Sequence, residues 1–558
     1  MKGIRRGWSP AASLVAAASL LMIVGCGRDE ASAGLKAITP EALDAHLRFL
    51  SSDLLEGRAP GTRGSQLAAS YIANQFALSG LVPAVGDSSF FQPVPLVARS
   101  PSAQLSFRAP GGAAFRAALG PDFVAWSEDT SEVSSADAEL VFVGYGITAP
   151  ERDWDDYKGV DVSGRVLLML SNDPGQAGSS RFRGDTLTYY GLWTYKIEEA
   201  ARRGAVGVIL MHESTSARVG WDVIRSSMLR ERAGLEAAPG SARLAFEAWL
   251  SQEAAEQVVS MASLDFTTLL EIARSEKFRP LFTGVRVSAT VRNRVRRFSD
   301  FNVAGLLPGS DPQLASEVVV FTAHYDHLGI GEPVDSDSIY NGAYDNASGT
   351  ALLLCLADAF ARLPRRPARS ILFLAVTAEE SGLSGSSYYV ENPLIPLART
   401  VANVNIDGGN LWGPTEDVAV LGAEYSSIRA AAVQAARAEG LRLEGDPAPE
   451  QGYVYQSDQL SFMRAGVPAV MVVHGLDYIG RMPGWGEQML QEYIETQYYR
   501  PGDEYRADLD LRGALQQGRV AFRIGLSLAN GRERPVWNEG SELEAVRRWG
   551  RAASGAAN

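Results

Sequence analysis

The feature that most constrains the fold is the alternation of apolar segments with helical patterns from Phe301 onwards. The clearest apolar segments have the length of buried strands and span Glu317 to Thr322, Ser370 to Thr377, Val401 to Ile406 and Pro468 to Val473. The clearest helical patterns span Ser348 to Arg362 and Tyr425 to Glu439. Such alternation is typical of an α/β protein with a mixed, mostly parallel sheet flanked by helices.

The part of the chain before Phe301 predicts helices followed by a β-rich region. Leucines recur at helical spacing from Pro40, with Leu54 as the last of them, and a second helix is predicted from Ser65 to Leu78. At 558 residues the chain is too long for one ordinary core. We therefore predict a catalytic domain of residues 37–135 and 290–530, an inserted β-rich domain of residues 136–289, and a C-terminal tail of residues 531–558.

A residue that can bind a metal or transfer a proton follows each of the four apolar segments. In chain order these residues are His324, the pair Glu379 and Glu380, Asp407, and His474. A further carboxylate, Asp345, lies in the loop before the helix predicted at Ser348. Ligands of open α/β sheets bind outside the carboxyl ends of the strands. We therefore expect these side chains to meet in one crevice.

Each of these residues has an ordinary structural explanation when it is taken singly. Asp345 fits a helix cap and Asp407 fits a turn. Glu379 and Glu380 fit a solvated helix start. A single histidine is more often a core or surface residue than a ligand. The chain has 5 histidines, however, and three of them lie at these strand ends. This clustering predicts a metal site.

The types of side chain favour a particular class of metal. Imidazoles and carboxylates without a thiolate suit zinc, cobalt or manganese. Five ligands exceed the number that one open catalytic zinc needs, and a bridging carboxylate accounts for the excess. Two ions about 3.5 to 4 Å apart would hold and deprotonate one water. We therefore predict two Zn²⁺ per chain, with cobalt or manganese also compatible.

Five short motifs together resemble the M28 family of zinc peptidases in order and spacing. They are His324-Tyr325-Asp326, Asp345-Asn346, Glu379-Glu380, Asp407 and His474. The resemblance covers the predicted catalytic domain and implies a zinc aminopeptidase/phosphorylase-like fold. It also implies that the insert, with residues 142–147 and 196–211, is similar to a protease-associated (PA) domain.

The same resemblance implies how the metal ligands are divided between the two ions. His324 and Asp407 would hold one metal, Glu380 and His474 would hold the other, and Asp345 would bridge them.

The resemblance also implies roles for residues around the ligands. Asp326 would orient His324, as carboxylates commonly do for metal-bound imidazoles. Glu379 would be the general base that takes a proton from the shared water and returns it to the leaving amine. Adjacent glutamates can divide these tasks only if the backbone turns at this point, as a strand-to-helix junction allows. His327 matches no ligand position, and we interpret it as a residue behind the ligands or on the surface.

The segment before the last predicted strand offers a group that would stabilise the transition state. By the resemblance, Tyr453 is the first candidate for a hydrogen bond to the oxyanion, and Tyr455 is the second. Gln459 stands where a histidine often follows Ser-Asp in the family. The chain departs from the family pattern there, in the substrate pocket and not in the metal set.

The resemblance implies a dizinc exopeptidase that acts on peptides, and an aminopeptidase is favoured. A free α-amino group can bind one of two zincs directly. A carboxypeptidase would need arginines for the substrate carboxylate, and the loop residues Arg481 and Arg500 cannot be placed from sequence. A single-zinc acyltransferase similar to glutaminyl cyclases and a non-catalytic receptor-like homologue are also compatible with the fold, although no metal or base position is vacant. The chain has neither a G-x-S-x-G nor an H-E-x-x-H motif.

The N-terminus predicts export and lipidation. A basic stretch and an apolar run from Ala11 to Val24 end at Cys26, in a pattern that resembles a bacterial lipobox. We predict a signal peptide at 1–25, a lipid on Cys26, a tether at 26–36, and an outer-membrane anchor facing the periplasm if the source is Gram-negative. Cys355 then has no disulfide partner and is predicted to be a buried thiol. A net charge of −13 argues against nucleic acid as a partner.

Overall fold

The computed structural model describes residues 31–86, 88–175, 178–213, 220–236 and 242–544. The predicted signal peptide, the lipidation site Cys26, residues 26–30 of the predicted tether and residues 545–558 of the predicted tail lie outside these ranges. Within these ranges, no helix combines the length and apolarity needed to cross a bilayer.

The β-structure consists of strands spread along the whole described chain. They are β1 (Val82–Pro83), β2 (Phe91–Arg108), β3 (Ala114–Ala117), β4 (Phe123–Trp126), β5 (Val133–Phe142), β6 (Thr148–Ala149), β7 (Trp154–Asp155), β8 (Val166–Leu170), β9 (Gly207–Met211), β10 (Arg232–Leu235), β11 (Phe246–Leu250), β12 (Leu281–Leu307), β13 (Val318–His324), β14 (Gly329–Val334), β15 (Asp337–Tyr340), β16 (Ser370–Val376), β17 (Thr400–Asn405), β18 (Asp417–Leu421), β19 (Arg442–Glu444) and β20 (Ala469–His474).

The main helices flank these strands. They are α1 (Pro40–Leu50), α2 (Arg63–Leu78), α3 (Trp193–Arg202), α4 (Trp221–Leu229), α5 (Gln252–Met261), α6 (Phe266–Ala273), α7 (Gly349–Ala361), α8 (Ser384–Glu391), α9 (Ile428–Ala438), α10 (Gln459–Arg464), α11 (Trp485–Thr496) and α12 (Arg512–Asn530). Single helical turns also occur, at Asp53–Arg58, Pro150–Arg152, Tyr189–Gly191, Ala343–Ser348, Leu397–Arg399, Ala423–Tyr425 and Tyr453–Tyr455.

One large sheet runs through the molecule in the order β19-β18-β20-β17-β13-β16-β12-β5-β8-β9-β11-β4. The neighbours β20, β17, β13 and β16 are parallel to one another. Every residue of β13, β16 and β17 is buried, as expected for parallel strands covered by helices on both faces. The predicted mixed, mostly parallel α/β sheet is therefore confirmed, and the strands that carry the predicted site residues end at one edge of it.

The strand β12 is the longest element and connects the two predicted domains. Its 27 residues pair with β2 over most of their length, with β5 at one end and with β16 at the other. The predicted domain boundary between residues 289 and 290 falls inside this strand. The same hydrogen-bonded sheet therefore supports the predicted catalytic domain and the predicted insert.

The helices begin and end close to the predicted positions. Thr39 caps α1, and Leu43, Leu47 and Leu50 of that helix are buried. Leu54, predicted to continue this face, lies beyond the end of α1 and is 76% exposed. The prediction was wrong for Leu54 because the helical spacing of the leucines continues past Leu50, where the helix ends. Cys355 is buried in α7, where burial raises the pKa of its thiol to about 12.

A buried arginine connects the N-terminal helices to the edge of the sheet. Arg58 is fully buried and donates to the carbonyl oxygens of Tyr325 (2.7 Å), Asn341 (2.6 Å), Gly342 (3.0 Å) and Leu50. Three of these carbonyls belong to the loops that follow β13 and β15. The guanidinium therefore fixes the two loops next to the predicted site residues.

We expect Arg58→Met to destabilise the fold, because four buried carbonyls would lose their donors. Unsatisfied buried acceptors cost about 1–3 kcal/mol each, so the free energy of unfolding should fall by about 3 kcal/mol or more. Urea unfolding followed by circular dichroism measures this change. Arg48→Met is the control, since that arginine is exposed and its ion pair with Asp44 is solvated. Equal stability of the two variants would contradict the role given to Arg58.

Candidate metal centre

His324, Asp345 and Asp407 form the first group of potential metal ligands. Nε2 of His324 lies 3.2 Å from Oδ1 of Asp407 and 3.4 Å from Oδ1 of Asp345. Two ligands of a tetrahedral zinc, each bonded at about 2.0–2.1 Å, lie roughly 3.3 Å apart. The three side chains therefore have the mutual spacing that one zinc ion requires.

The other nitrogen of His324 explains why its Nε2 suits a cation. Nδ1 lies 3.2 Å from the backbone carbonyl oxygen of Asp326, which can only accept a hydrogen bond. With the proton on Nδ1, the lone pair of Nε2 faces two carboxylates. This arrangement is repulsive unless a cation or a second proton lies between them. The site therefore fits a divalent metal.

Asp326 lies where the sequence predicted it, although its contact with His324 is partly through the backbone. Its Oδ1 is 3.7 Å from Nδ1 of His324 and accepts a hydrogen bond of 3.1 Å from the backbone N–H of Glu379. The carboxylate therefore connects the loop after β13 to the loop after β16. It holds His324 and Glu379 in a fixed relation.

The two adjacent glutamates point to different partners. Ala378 has a φ of 54°, in the left-handed region, so the backbone turns sharply before them. Oε2 of Glu379 lies 4.0 Å from Nε2 of His324, whereas Oε1 of Glu380 lies 2.7 Å from Nδ1 of His327. The backbone turn that would allow the two glutamates to have separate roles is therefore present.

His327, Asp345 and Glu380 form a second group of potential ligands, whose candidate atoms lie within 4.8 Å of one another. Asp345 belongs to both groups, in the position of the bridge that the resemblance implied. His327 is 1% exposed, so the surface interpretation of this residue was wrong.

His474, a predicted ligand, belongs to neither group. Its Nδ1 donates to the carbonyl oxygen of Gly475 (2.9 Å), and its Nε2 lies 3.2 Å from the hydroxyl of Tyr344. The rings of Trp412 and Tyr478 also border it, with centroids 5.6 and 6.3 Å away. His474 ends β20, as predicted, and its role as a metal ligand stays a prediction.

Burial of several carboxyl groups dominates the electrostatics of the site. Burial, and then the charge of Glu380, raises the pKa of Asp345 to about 6. Burial likewise raises the pKa of Glu380 to about 7 and that of Glu379 well above its usual range. For Asp407, burial opposes ionisation but the charge of His324 outweighs it, and the pKa lies below its usual value. Bound cations are a common means of compensating such a concentration of buried acids.

The tyrosines proposed for oxyanion stabilisation occupy different environments. Tyr455 is buried, and its hydroxyl contacts Tyr425 (3.1 Å) and Glu542. It therefore fastens the residues after α12. Tyr453 is only partly buried and interacts electrostatically with Tyr344, the neighbour of Asp345.

Gln459 has a structural role in the substrate-pocket segment where the chain departs from the family pattern. It accepts a hydrogen bond of 2.8 Å from Asn405 and donates one of 2.9 Å to the carbonyl oxygen of Val454. Gln459 therefore fixes the loop that carries Tyr453 to the end of β17.

Two residues near the site carried no recognisable signal in the sequence. The side chain of Tyr499 acts to lower the pKa of Glu380, and its ring lies 6.2 Å from that of His327. The guanidinium carbon of Arg230, just after α4, lies 6.0 Å from the centroid of the Tyr499 ring. Both are far in sequence from the motifs that predicted the site. Arg230 shows that the predicted insert contributes a cation next to it.

Comparison with known proteins agrees with this site. Residues 302–523 match the family model described as peptidase family M28. This segment makes up less than half of the chain. It contains every predicted metal ligand and Glu379.

Curated relatives of this chain differ in their named activities. The chain is 35% identical to mouse aminopeptidase NAALADL1 over 130 residues, which are 22% of this chain and 16% of that protein. It is 26% identical to the glutamate carboxypeptidase 2 homolog of Caenorhabditis elegans over 348 residues, 53% of this chain and 40% of that protein. The chain thus spans less than half the length of these relatives.

A solved structure of an aminopeptidase from Aneurinibacillus sp. strain AM-1 is also similar to this chain. The identity is 19% and the TM-score 0.49, over 89% of this chain and 96% of that one.

We expect Gly342→Ala to weaken metal binding, because this glycine lies between both ligand groups. It has a φ of 56°, and a Cβ there would lie 2.1 Å from the carbonyl oxygen of Asp345 and 2.6 Å from Cδ2 of His327. Accommodating it requires Asp345 or His327 to move. Isothermal titration of the chelator-treated protein with Zn²⁺ should show at least about tenfold weaker binding, as for other changes that displace ligands.

Gly440→Ala is the matched control for that substitution. Gly440 also has a positive φ, of 76°, but nothing lies within 4 Å of the position of its Cβ. It should share the conformational cost and leave Zn²⁺ affinity unchanged. Equal affinities in the two variants would show that the contacts of Gly342 do not control the site.

Proposed function

We propose that this protein is a zinc-dependent exopeptidase with two metal positions, and that it acts as an aminopeptidase. The observation that carries the proposal is the position of Asp345, which is shared by the ligand groups of His324 with Asp407 and of His327 with Glu380. A carboxylate common to two such groups is the arrangement expected for a pair of metal ions. The match of residues 302–523 to a peptidase family supports a peptide bond as the substrate.

The residues divide the reaction between them. Two divalent ions held by these groups would polarise the scissile carbonyl and lower the pKa of a water. Glu379 faces the His324 group with Oε2 4.0 Å from Nε2, so it is placed to accept the proton of that water and return it to the leaving amine. Oδ1 of Asp326 accepts a hydrogen bond of 3.1 Å from the backbone N–H of Glu379, which fixes the position of the base relative to the first ligand group. Tyr453 is the candidate donor to the developing oxyanion.

We expect Glu379→Gln to lose catalysis and keep its metal. The amide retains the shape of the side chain but cannot accept the proton, and general base catalysis contributes about 10²- to 10⁴-fold to rate. The measurements are kcat on an aminoacyl p-nitroanilide and metal content by mass spectrometry. Glu391→Gln, an exposed change at the end of α8, is the control. Full activity of Glu379→Gln with normal metal content would exclude Glu379 as the base.

An aminopeptidase is favoured over a carboxypeptidase because a free α-amino group can bind a metal directly and needs no charged pocket. The mouse relative is named as an aminopeptidase. Of the two arginines considered from the sequence, Arg481 lies over the ring of Trp485 at 4.5 Å. That contact offers no reason to place Arg481 at the metals.

A carboxypeptidase is the second candidate, and Arg230 is the observation that favours it. This cation lies over the ring of Tyr499, and its charge acts to lower the pKa of Glu380, so it is a candidate partner for the carboxylate of a short peptide. The Caenorhabditis elegans relative is named as a carboxypeptidase homologue.

A panel of three peptides separates the two candidates. One has free termini, one is blocked at the N-terminus and one is amidated at the C-terminus. We expect cleavage of the first and third, from the N-terminal end, and no cleavage of the second. Arg230→Gln should leave cleavage of the amidated peptide unchanged. Cleavage of the N-blocked peptide, lost in Arg230→Gln, would instead establish a carboxypeptidase.

A further inference from the structure

We propose that Glu542, in the segment after α12, is a positioning residue for the loop that carries Tyr453, and that it couples this loop to the predicted insert. The loop, residues 449–456, is called the Tyr453 loop below. The proposal rests on the function proposed above, in which Tyr453 donates to the developing oxyanion. Glu542 lies outside residues 302–523, the segment that the family model matches.

The segment after α12 returns to the body of the protein and ends in a buried contact. The backbone N–H of Asn538 donates to the carbonyl oxygen of Tyr425 at 2.8 Å. Farther along the chain, Glu542 is 3% exposed and Leu543 is fully buried. Acidic side chains are almost never buried to this extent unless they are paired. The partners of Glu542 therefore indicate what this segment does.

The two carboxylate oxygens of Glu542 bind different parts of the molecule. Oε2 accepts a hydrogen bond of 2.6 Å from the guanidinium of Arg152, a residue of the predicted insert. Oε1 accepts a hydrogen bond from the hydroxyl of Tyr455, at the end of the helical turn Tyr453–Tyr455. One side chain therefore connects the insert to the Tyr453 loop.

The predicted insert also contacts the beginning of the Tyr453 loop. The backbone N–H of Leu187 donates to the carbonyl oxygen of Pro449 at 3.0 Å. The side chain of Leu187 packs against Gly452, where a Cβ would lie 2.6 Å from its Cδ2. The ring of Tyr189 lies 6.2 Å from that of Tyr455. The loop is therefore held by the insert at one end and by Glu542 at the other.

A short chain of hydrogen bonds extends the contact of Tyr455. Burial, and then the charge of Glu542, raises the pKa of Tyr455 well above its usual range, so its hydroxyl stays protonated and can donate. The same hydroxyl lies 3.1 Å from that of Tyr425, which accepts a hydrogen bond of 2.7 Å from Arg183 of the predicted insert. Hydrogen bonds to an ionised group are roughly twice as strong as neutral ones. Removing the carboxylate should therefore loosen the end of the Tyr453 loop.

The test is a double-mutant cycle between Glu542→Ala and Tyr453→Phe, with kcat and KM measured on an aminoacyl p-nitroanilide. Loss of one oxyanion donor costs about 10²- to 10³-fold in kcat, which is the effect expected for Tyr453→Phe. Glu542→Ala should lower kcat at least about tenfold and change KM less than about twofold, because a displaced oxyanion donor is missed mainly in the transition state.

The cycle separates a positioning residue from a merely structural one. If Glu542 acts through Tyr453, Glu542→Ala should change kcat less than about twofold when Tyr453→Phe is already present. Equal losses in the two backgrounds would overturn the proposal, and so would an unchanged kcat in Tyr453→Phe alone. Glu542→Gln keeps an acceptor oxygen for Tyr455 and should recover part of the kcat that Glu542→Ala loses.

Arg534→Ala is the matched control for the segment after α12. This arginine pairs with Glu317 at 2.8 Å and donates to the carbonyl oxygen of Ala398, and neither partner belongs to the insert or to the Tyr453 loop. The variant should leave kcat unchanged. A loss of kcat equal to that of Glu542→Ala would show that any loosening of this segment has the same effect, and the proposal would be overturned.

A second measurement needs neither activity nor a folded Glu542 variant. The amides of Tyr455 and Gln456 donate within the loop, at 2.9 and 3.1 Å, so their hydrogen exchange reports opening of the loop. Arg152→Met leaves Glu542 in place and should raise this exchange at least about tenfold, the factor for one lost hydrogen bond to a charged group. Exchange as slow as in the unmodified chain would overturn the coupling to the insert.

The failure of this proposal and the failure of the proposed function have different signatures. Suppose that Arg152→Met speeds exchange in the loop but the unmodified chain cleaves none of the three peptides. The exopeptidase would then be refuted, and the coupling of the loop to the insert would stand. Cleavage with a kcat that does not depend on Glu542 would refute the positioning role and leave the exopeptidase intact.

Discussion

Repulsion among buried carboxylates is the constraint on which the architecture of this site depends. Asp345, Glu379, Glu380 and Asp407 are held within one crevice, although burial disfavours their ionisation. Positive charge at the same place is the simplest compensation, and His324 and His327 are the nearest imidazoles. The loops hold this unfavourable cluster together by separate interactions, above all the four carbonyl contacts of Arg58. Interactions outside the carboxylate cluster therefore hold the loops in place against the repulsion within it.

Much of the fold followed from the sequence because its signals are local. Fully apolar runs with helices between them predict parallel strands, and the four predicted strands ending near His324, Val376, Asn405 and His474 are present within two residues. Short-range patterns also located the helices. The extent of β12 could not be predicted, because its pairing with β2 joins segments almost two hundred residues apart in sequence and its alternating pattern gives no indication of its partner.

The sequence predicted which residues lie at the ends of the strands, but not the direction in which each side chain points. His324, Asp345 and Asp407 lie together as their placement suggested. Neither of the two candidate ligand groups includes His474, and the sequence did not predict the position of His327. The direction of the His474 side chain depends on the aromatic rings beside it, and that of His327 depends on Gly342, Glu380 and Tyr499. No motif in the sequence gave His327 a role, because the residues around it come from three distant parts of the chain.

The continuity of β12 has a consequence for how this molecule could lose its inserted region. One edge of the strand is hydrogen-bonded to β5, inside the predicted insert, and the other to β2. A chain shortened between these elements would keep part of β12 with unpaired backbone N–H and C=O groups along one side. Open edges of this kind recruit strands from other molecules and promote aggregation. The predicted insert therefore covers one side of β12 in the large sheet, and deleting it should lower the solubility of the protein.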